Sequence, residues 1–209
     1  MVTKGERTRR RIVERAAPVF NTRGYFGASM GDLVRETGLE KGGIYNHFGS
    51  KEELALAAFD YSVGVMSERF DEALEGRMGT LEKLLAVVGV LGGMAEDPPV
   101  RGGCPVLNTA IEADDAHRAL KERARGAATD WLRLVGSIVK EGVASGELEG
   151  GTDPRKVASV VVATLEGALM LSKLNDDPAH MERAVEHLEE YLRSLSRPDA
   201  GSAQAGRGS

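Results

Sequence analysis

Apolar residues recur at helical spacing along nearly the whole 209-residue chain, and no run alternates apolar with polar residues long enough to make a strand. That property restricts the chain to an all-α fold. A first helix is expected from about Thr8 to Thr22, with Ile12, Ala16, Val19 and Phe20 on one face and Gly24 ending it. Ser29 suits the N-cap of a second helix, which carries Met30, Leu33, Val34 and Thr37 on one stripe and stops at Gly38. A very short third helix, Lys41 to Phe48, puts Ile44 and Phe48 one turn apart. Ser50 and Glu53 then form an S-x-x-E capping box for a long helix along which Leu54, Ala58, Tyr61 and Val65 continue one face.

Gly76 and Gly79 break that helix, and another follows from Thr80 with Leu81, Leu84, Leu85, Val88 and Leu91 on one stripe. A loop over 96–103 leads to a short helix near Cys104-Pro105, since proline fits a first helical turn. The pattern predicts a longer helix from about Asp115 to Ser145, with Leu120, Ala124, Ala127, Trp131, Val135 and Ile138 inward and Gly146 as its cap. Asp153-Pro154 and Asp177-Pro178 are two further start signals. The helix opened by Pro154 is apolar almost all round, which suits burial on two sides, one on its own core and one on a second subunit. A homodimer through the last two long helices is therefore expected, with Leu165 and Leu188 at the contact. The glycine-, serine- and alanine-rich segment 196–209 reads as a disordered tail.

Composition narrows the class further. One cysteine, Cys104, excludes an intrachain disulfide and suits a reducing compartment, so the expected location is cytoplasmic. No stretch approaches the ~18 apolar residues of a membrane span, and no membrane partner is expected. The net charge of −5 hides a strong asymmetry. Residues 1–51 hold ten Lys/Arg against five Asp/Glu, which leaves 17 against 27 for the rest. A head of +5 on a body of −10 suggests that one end meets a polyanion.

Two short helices joined by a turn with glycine match a helix-turn-helix, whose second helix is about 12 Å long and fits a major groove. The specific residues go further. The stretch GYFGASMGDLVRETGLEKGGIYNHFGSKEEL, from Gly24, closely resembles the DNA-binding domain of the tetracycline-repressor (TetR) family. The resemblance rests on Gly24-Tyr25, Ser29, Gly38-Leu39, Lys41-Gly42, Ile44-Tyr45, Phe48 and Ser50-Lys51-Glu52-Glu53-Leu54, and covers about residues 7–55 without a gap. It implies an N-terminal three-helix helix-turn-helix DNA-binding domain, residues 1–50, and a helical effector-binding and dimerisation domain, residues 51–195. It implies that Tyr45 and His47 touch bases and phosphate, that Lys41 and Lys51 hold phosphates, and that Ser29 does likewise at its helix N-terminus. Gly42, Gly43 and Asn46 share that face. Gly43 departs from the Thr, Ser or Ala of many members, which shifts specificity toward Asn46, His47 or the N-terminal arm.

The resemblance further implies a ligand-released repressor on palindromic double-stranded DNA, with a small-molecule effector and no cofactor. Met66, Phe70, Met94, Cys104, Leu107, Trp131 and Met170 are candidate pocket linings, because such pockets are mostly apolar. Cys104 at a helix start is a candidate for a lowered thiol pKa, against the plainer reading of a buried apolar filler. Glu166, alone in its apolar helix, needs a partner if buried. His117, His180 and His187 lie apart on expected exposed faces and make no metal site. An enzyme using Cys104 or Glu112, Asp114 and Asp115 is the competing class. No Ser-His-Asp arrangement, phosphate-cradling glycine loop or metal spacing supports it.

Overall fold

The structure, a computed structural model, describes residues 3–197. Among these residues the chain forms nine α-helices and a single isolated bridge between Leu148 and Ser196. The head comprises α1 (Lys4–Gly27), α2 (Met30–Thr37) and α3 (Lys41–Tyr45). Then come α4 (Lys51–Leu74), α5 (Thr80–Gly92), α6 (Pro105–Ala113), α7 (Arg118–Ser145), α8 (Pro154–Asn175) and α9 (Ala179–Ser194). The tail expected over 196–209 lies outside the described residues from 198 onward.

Local chemistry accounts for the boundaries and for the departures from expectation. α1 starts earlier than its apolar stripe because Thr3 and Glu6 cap it reciprocally. Thr3 Oγ accepts the Glu6 N–H at 3.2 Å, and the Glu6 carboxylate accepts the Thr3 N–H at 2.6 Å. α2 is bounded as expected by Ser29 and by Gly38, left-handed at φ 68°. α3 is shorter than expected, and Phe48 packs from the turn that follows it. The capping box at α4 is only half made. Ser50 Oγ takes the Glu53 N–H at 3.0 Å, but the Glu53 carboxylate accepts from Gly49 N–H at 2.7 Å. α7 begins at Arg118, not near Asp115, because the His117 ring accepts the Leu120 N–H at 3.3 Å and so acts as N-cap.

Two apolar cores result. Ile12, Ala16, Val19, Leu33, Ile44 and Phe48 form the first, together with Leu54 and Ala58 from the start of α4. The second fills the bundle of α4–α9 around Phe70, Leu91, Trp131, Leu165 and Leu188. α4 therefore serves both. Past Ala58 its buried line shifts to Ser62, Met66 and Phe70, while Tyr61 and Val65 are only half-buried, because the helix leaves the head and turns a different side to the body.

α8 corrects two expectations. It is long and apolar enough to cross a membrane by length and composition, with a mean hydropathy of 1.6 over 18 residues. It packs instead against α7 and α9, with 39% of that window buried, which leaves much of its apolar surface uncovered by this chain. Leu165 and Leu188 are not on that uncovered side. Both are at most 1% exposed and belong to the protomer's own core, whereas Ala163, Gly167, Met170 and Leu174 follow one another on the outward stripe.

Candidate nucleic-acid interface

The reading face is built by burying one side of α2 and α3. Leu33, Ile44 and Phe48 are almost wholly enclosed, and this turns Lys41, Gly42, Tyr45 and Asn46 outward, with Tyr45 39% exposed. Gly43 and His47 are half-buried at the edge of the same face. The Arg9 guanidinium covers the Phe48 ring at 4.3 Å, tying α1 to the back of the motif. Lys41 Nζ lies 5.8 Å from the Tyr45 ring centroid.

Two expected phosphate contacts are differently engaged here. Ser29 is occupied by its own cap: Oγ accepts the Asp32 N–H at 3.1 Å and donates to the Asp32 carboxylate at 2.7 Å. The Ser29 hydroxyl and the Ser29 backbone N–H, which donates to the same carboxylate at 3.0 Å, draw the Asp32 pKa down to about 2, helped by Arg23 and Arg35. Lys51 folds back, donating Nζ to the Tyr25 carbonyl and lying 4.6 Å from the Tyr25 ring centroid. Its burial lowers the ammonium pKa, and the nearby Glu112 opposes that shift.

The body reaches the head at this same point. Glu112, near the end of α6, accepts the N–H groups of Tyr25 at 2.7 Å and Phe26 at 2.9 Å. Gly24, at φ 71°, supplies the kink that aims those amides at the carboxylate, and a Cβ there would overlap it. The His117 ring meets Tyr25 edge-on at 4.6 Å and approaches Glu52 at 3.5 Å, so this histidine is part of the junction and not on the exposed face expected for it. Beside it, Asn108 Nδ2 donates to the Asn21 carbonyl at 3.0 Å. Nothing in the local sequence signals contacts 87 residues apart.

In the body, Phe70, Met94, Cys104 and Trp131 are buried in the packed core, with Phe70 edge-on to Trp131 at 5.9 Å. Leu107 is half-buried against them. Met170 corrects its assignment as a pocket residue, because it is 44% exposed on the outward stripe of α8. Met66 alone of the expected residues borders a large groove between α4 and α5, about 620 Å³ in volume. Leu85, Gly89 and Val90 form its α5 side, with Gly93 just past that helix, and the Arg69–Asp97 ion pair at 3.3 Å stands at its rim.

Comparison with known proteins joins these observations. Residues 12–58 match the family "Bacterial regulatory proteins, tetR family", and residues 80–188 match "Tetracyclin repressor-like, C-terminal domain". The chain belongs to the tetR family. A TetR transcriptional regulator from Chloroflexus aurantiacus is 44% identical, with a TM-score of 0.89 over 93% of this chain and 98% of that one. A TetR-family regulator from Cytophaga hutchinsonii is 36% identical, with a TM-score of 0.87 over 95% and 100%. The HTH-type transcriptional repressor DhaR from Mycobacterium sp. (strain GP1) is 25% identical over 199 residues, 88% of each chain. TetR-family proteins are DNA-binding transcriptional regulators, not enzymes; they bind small-molecule effectors and work as dimers.

Within this TetR-family body, Cys104 departs from the expectation of a lowered pKa. Burial is the main cause that pushes its thiol well above the ordinary value, and the Glu166 carboxylate adds to the shift. The amide of Leu107, donating to Sγ at 3.3 Å, works the other way and is outweighed. The Glu166 pKa is itself raised by burial, opposed by the neighbouring Cys104 thiol, and its Oε2 is buried without a partner. A carboxyl raised on folding binds more protons when folded, so its stability contribution is full below the unfolded pKa and is lost as pH rises through the folded one. Glu166→Gln is expected to raise the melting temperature at neutral pH, by about 1–3 kcal/mol of stability, and less below the unfolded carboxyl pKa. Equal shifts at both pH values in thermal unfolding would contradict this account.

Proposed function

We propose that this TetR-family regulator is a repressor that binds a palindromic operator as a homodimer and is released by a small molecule. One observation carries the reading: an exposed recognition face at one end is joined by α4 to a body that leaves an apolar stripe on α8 uncovered. A second copy on that stripe presents two recognition helices, which favours half-sites about one helical turn, ~35 Å, apart. The similar DhaR of Mycobacterium, a transcriptional repressor, supports the same sign of regulation.

The DNA-binding residues are Ser29, Lys41, Gly42, Gly43, Tyr45, Asn46 and His47 in a head of residues 1–50, together with Lys51 at the start of α4. The body, residues 51–195, takes the effector, and the groove at Met66 is where we place it. Such a regulator works in the cytoplasm, where its DNA is. Selecting bound duplexes from a random pool tests the proposal, because a palindrome supports it and an unstructured pool of survivors refutes it.

The division of labour among these residues gives a second test. Tyr45→Ala and His47→Ala are each expected to cost roughly 1–3 kcal/mol on the selected operator and to relax preference at a few positions. Lys41→Ala is expected to weaken all duplexes alike and to lower the log–log salt slope by about 0.9. Anisotropy titrations over a salt series separate the two kinds of loss. An identical pattern for all three variants would contradict the assignment.

A further inference from the structure

The junction between head and body contains a chain of contacts that ends on a lysine of the reading head. α6 is N-capped by Cys104 in the body core and ends one residue after Glu112. The Glu112 carboxylate grips the Tyr25 and Phe26 amides, and the carbonyl of the same Tyr25 accepts from Lys51 Nζ. The Tyr25 ring is held from the other side by His117 at the start of α7, and Lys51 lies on that ring. Three side chains from three parts of the chain thus converge on one residue, at a kink that Gly24 makes possible.

We propose that Glu112 is a positioning residue of the DNA head, acting through the Tyr25 peptide to keep the Lys51 ammonium stowed against the head and away from the duplex. The proposal rests on the reading of Lys51 as a phosphate contact. With Glu112 engaged, the kinked end of α1 is fixed and the Tyr25 carbonyl stays aimed at Lys51. When α6 moves and withdraws the carboxylate, the Tyr25 and Phe26 amides lose their acceptor and the kink relaxes. Lys51 is then free to reach a phosphate beside the N-terminus of its own helix, where the dipole already favours an anion. The state of the body core, where α6 begins, is thereby passed to a charge on the head by a route separate from the continuous α4.

The test uses the full chain and a fluorescent duplex of random sequence, because phosphate contacts do not depend on sequence. Glu112→Gln offers one carbonyl to two N–H donors and removes the charge. Glu112→Asp keeps the charge on a stem too short to span both amides. Both are expected to bind the duplex about threefold more tightly at ~50 mM salt, with a log–log salt slope steeper by about 0.9. In a Lys51→Ala background neither change has any effect on affinity. A gain that persists in that background, or a loss of affinity in both, overturns the relay. Glu112→Asp behaving as the unaltered protein also overturns it, since that would leave only the field of the charge. If Lys51→Ala changes neither affinity nor salt slope in both the unaltered and the Glu112→Gln background, the phosphate reading of Lys51 itself has failed, and the proposal falls with it. Circular dichroism melts confirm that each variant is folded when measured.

Discussion

Leu174→Arg is expected to convert the protein to a folded monomer that has lost operator affinity by a factor of about 10²–10⁴. Leu174 is 75% exposed at the end of the outward stripe that includes Ala163, Gly167 and Met170. Such a position makes little demand on the protomer's own packing, and surface substitutions of this kind usually change stability by about 0.5 kcal/mol or less. In the dimer proposed above the same position would be buried against an identical helix. A guanidinium placed there on both copies would have to be desolvated without a partner, at a cost of several kcal/mol. Losing the dimer converts two linked recognition helices into one, which removes the effective concentration that the second head enjoys. Met170→Arg should act the same way. Leu165→Arg and Leu188→Arg are poor tests by comparison, because both leucines are enclosed in the protomer's core and the charge would unfold it. Light scattering checks the mass and anisotropy checks the affinity. A dimer that persists in both Leu174→Arg and Met170→Arg would place the interface elsewhere.

The contrast between Leu165 and Leu174 shows what the sequence makes legible and what it does not. Periodicity and capping chemistry announce the nine α-helices, because Ser29, Gly38, Gly146 and Asp153 act locally and their neighbours are visible in the chain, but not the short 3-10 turn Gly93–Ala95 after α5. The reading head was legible for a further reason: its motif is short and contiguous, so the buried Leu33, Ile44 and Phe48 separate cleanly from the outward Lys41, Tyr45 and Asn46. In α8, by contrast, apolar residues occur on every side. Composition says that two faces are covered without saying which residue belongs to which face. The same limit applies to the pocket. Phe70, Trp131 and Cys104 have the right chemistry to line one, but apolar side chains that could line a cavity are chemically the same as those that close a core. Long-range polar contacts such as Glu112 on Tyr25 leave no periodic trace at all.

Gly89→Leu is expected to abolish release by effector while leaving operator affinity in its absence within about twofold, since the substitution touches neither head nor dimer stripe. α5, a helix of 13 residues, carries two glycines, Gly89 and Gly92, on one side near its end. Glycine inside a helix costs about 1 kcal/mol relative to alanine. Gly92 has a packing reason, because a Cβ there would press on Val185 at 2.8 Å. Gly89 and Gly93, the latter just past the helix end, have none: a Cβ at either meets no neighbour within 4 Å, and both border the 620 Å³ groove above Met66. A leucine at 89 therefore adds helix propensity and projects into the groove from a Cβ that meets no neighbour. If the effector lies there, its differential affinity for the two states disappears, and with it the usual coupling of 1–3 kcal/mol, a 5- to 150-fold change in operator affinity. Phe70→Ala is a weaker test of the same idea. Phe70 packs on Trp131 in the closed core, so its truncation is expected to cost about 3–5 kcal/mol of stability and to blur any effect on signalling. A ligand found by its shift of the melting temperature supplies the effector for the experiment. Release that is equal in Gly89→Leu and the unaltered protein would move the site out of the groove and into the core around Trp131.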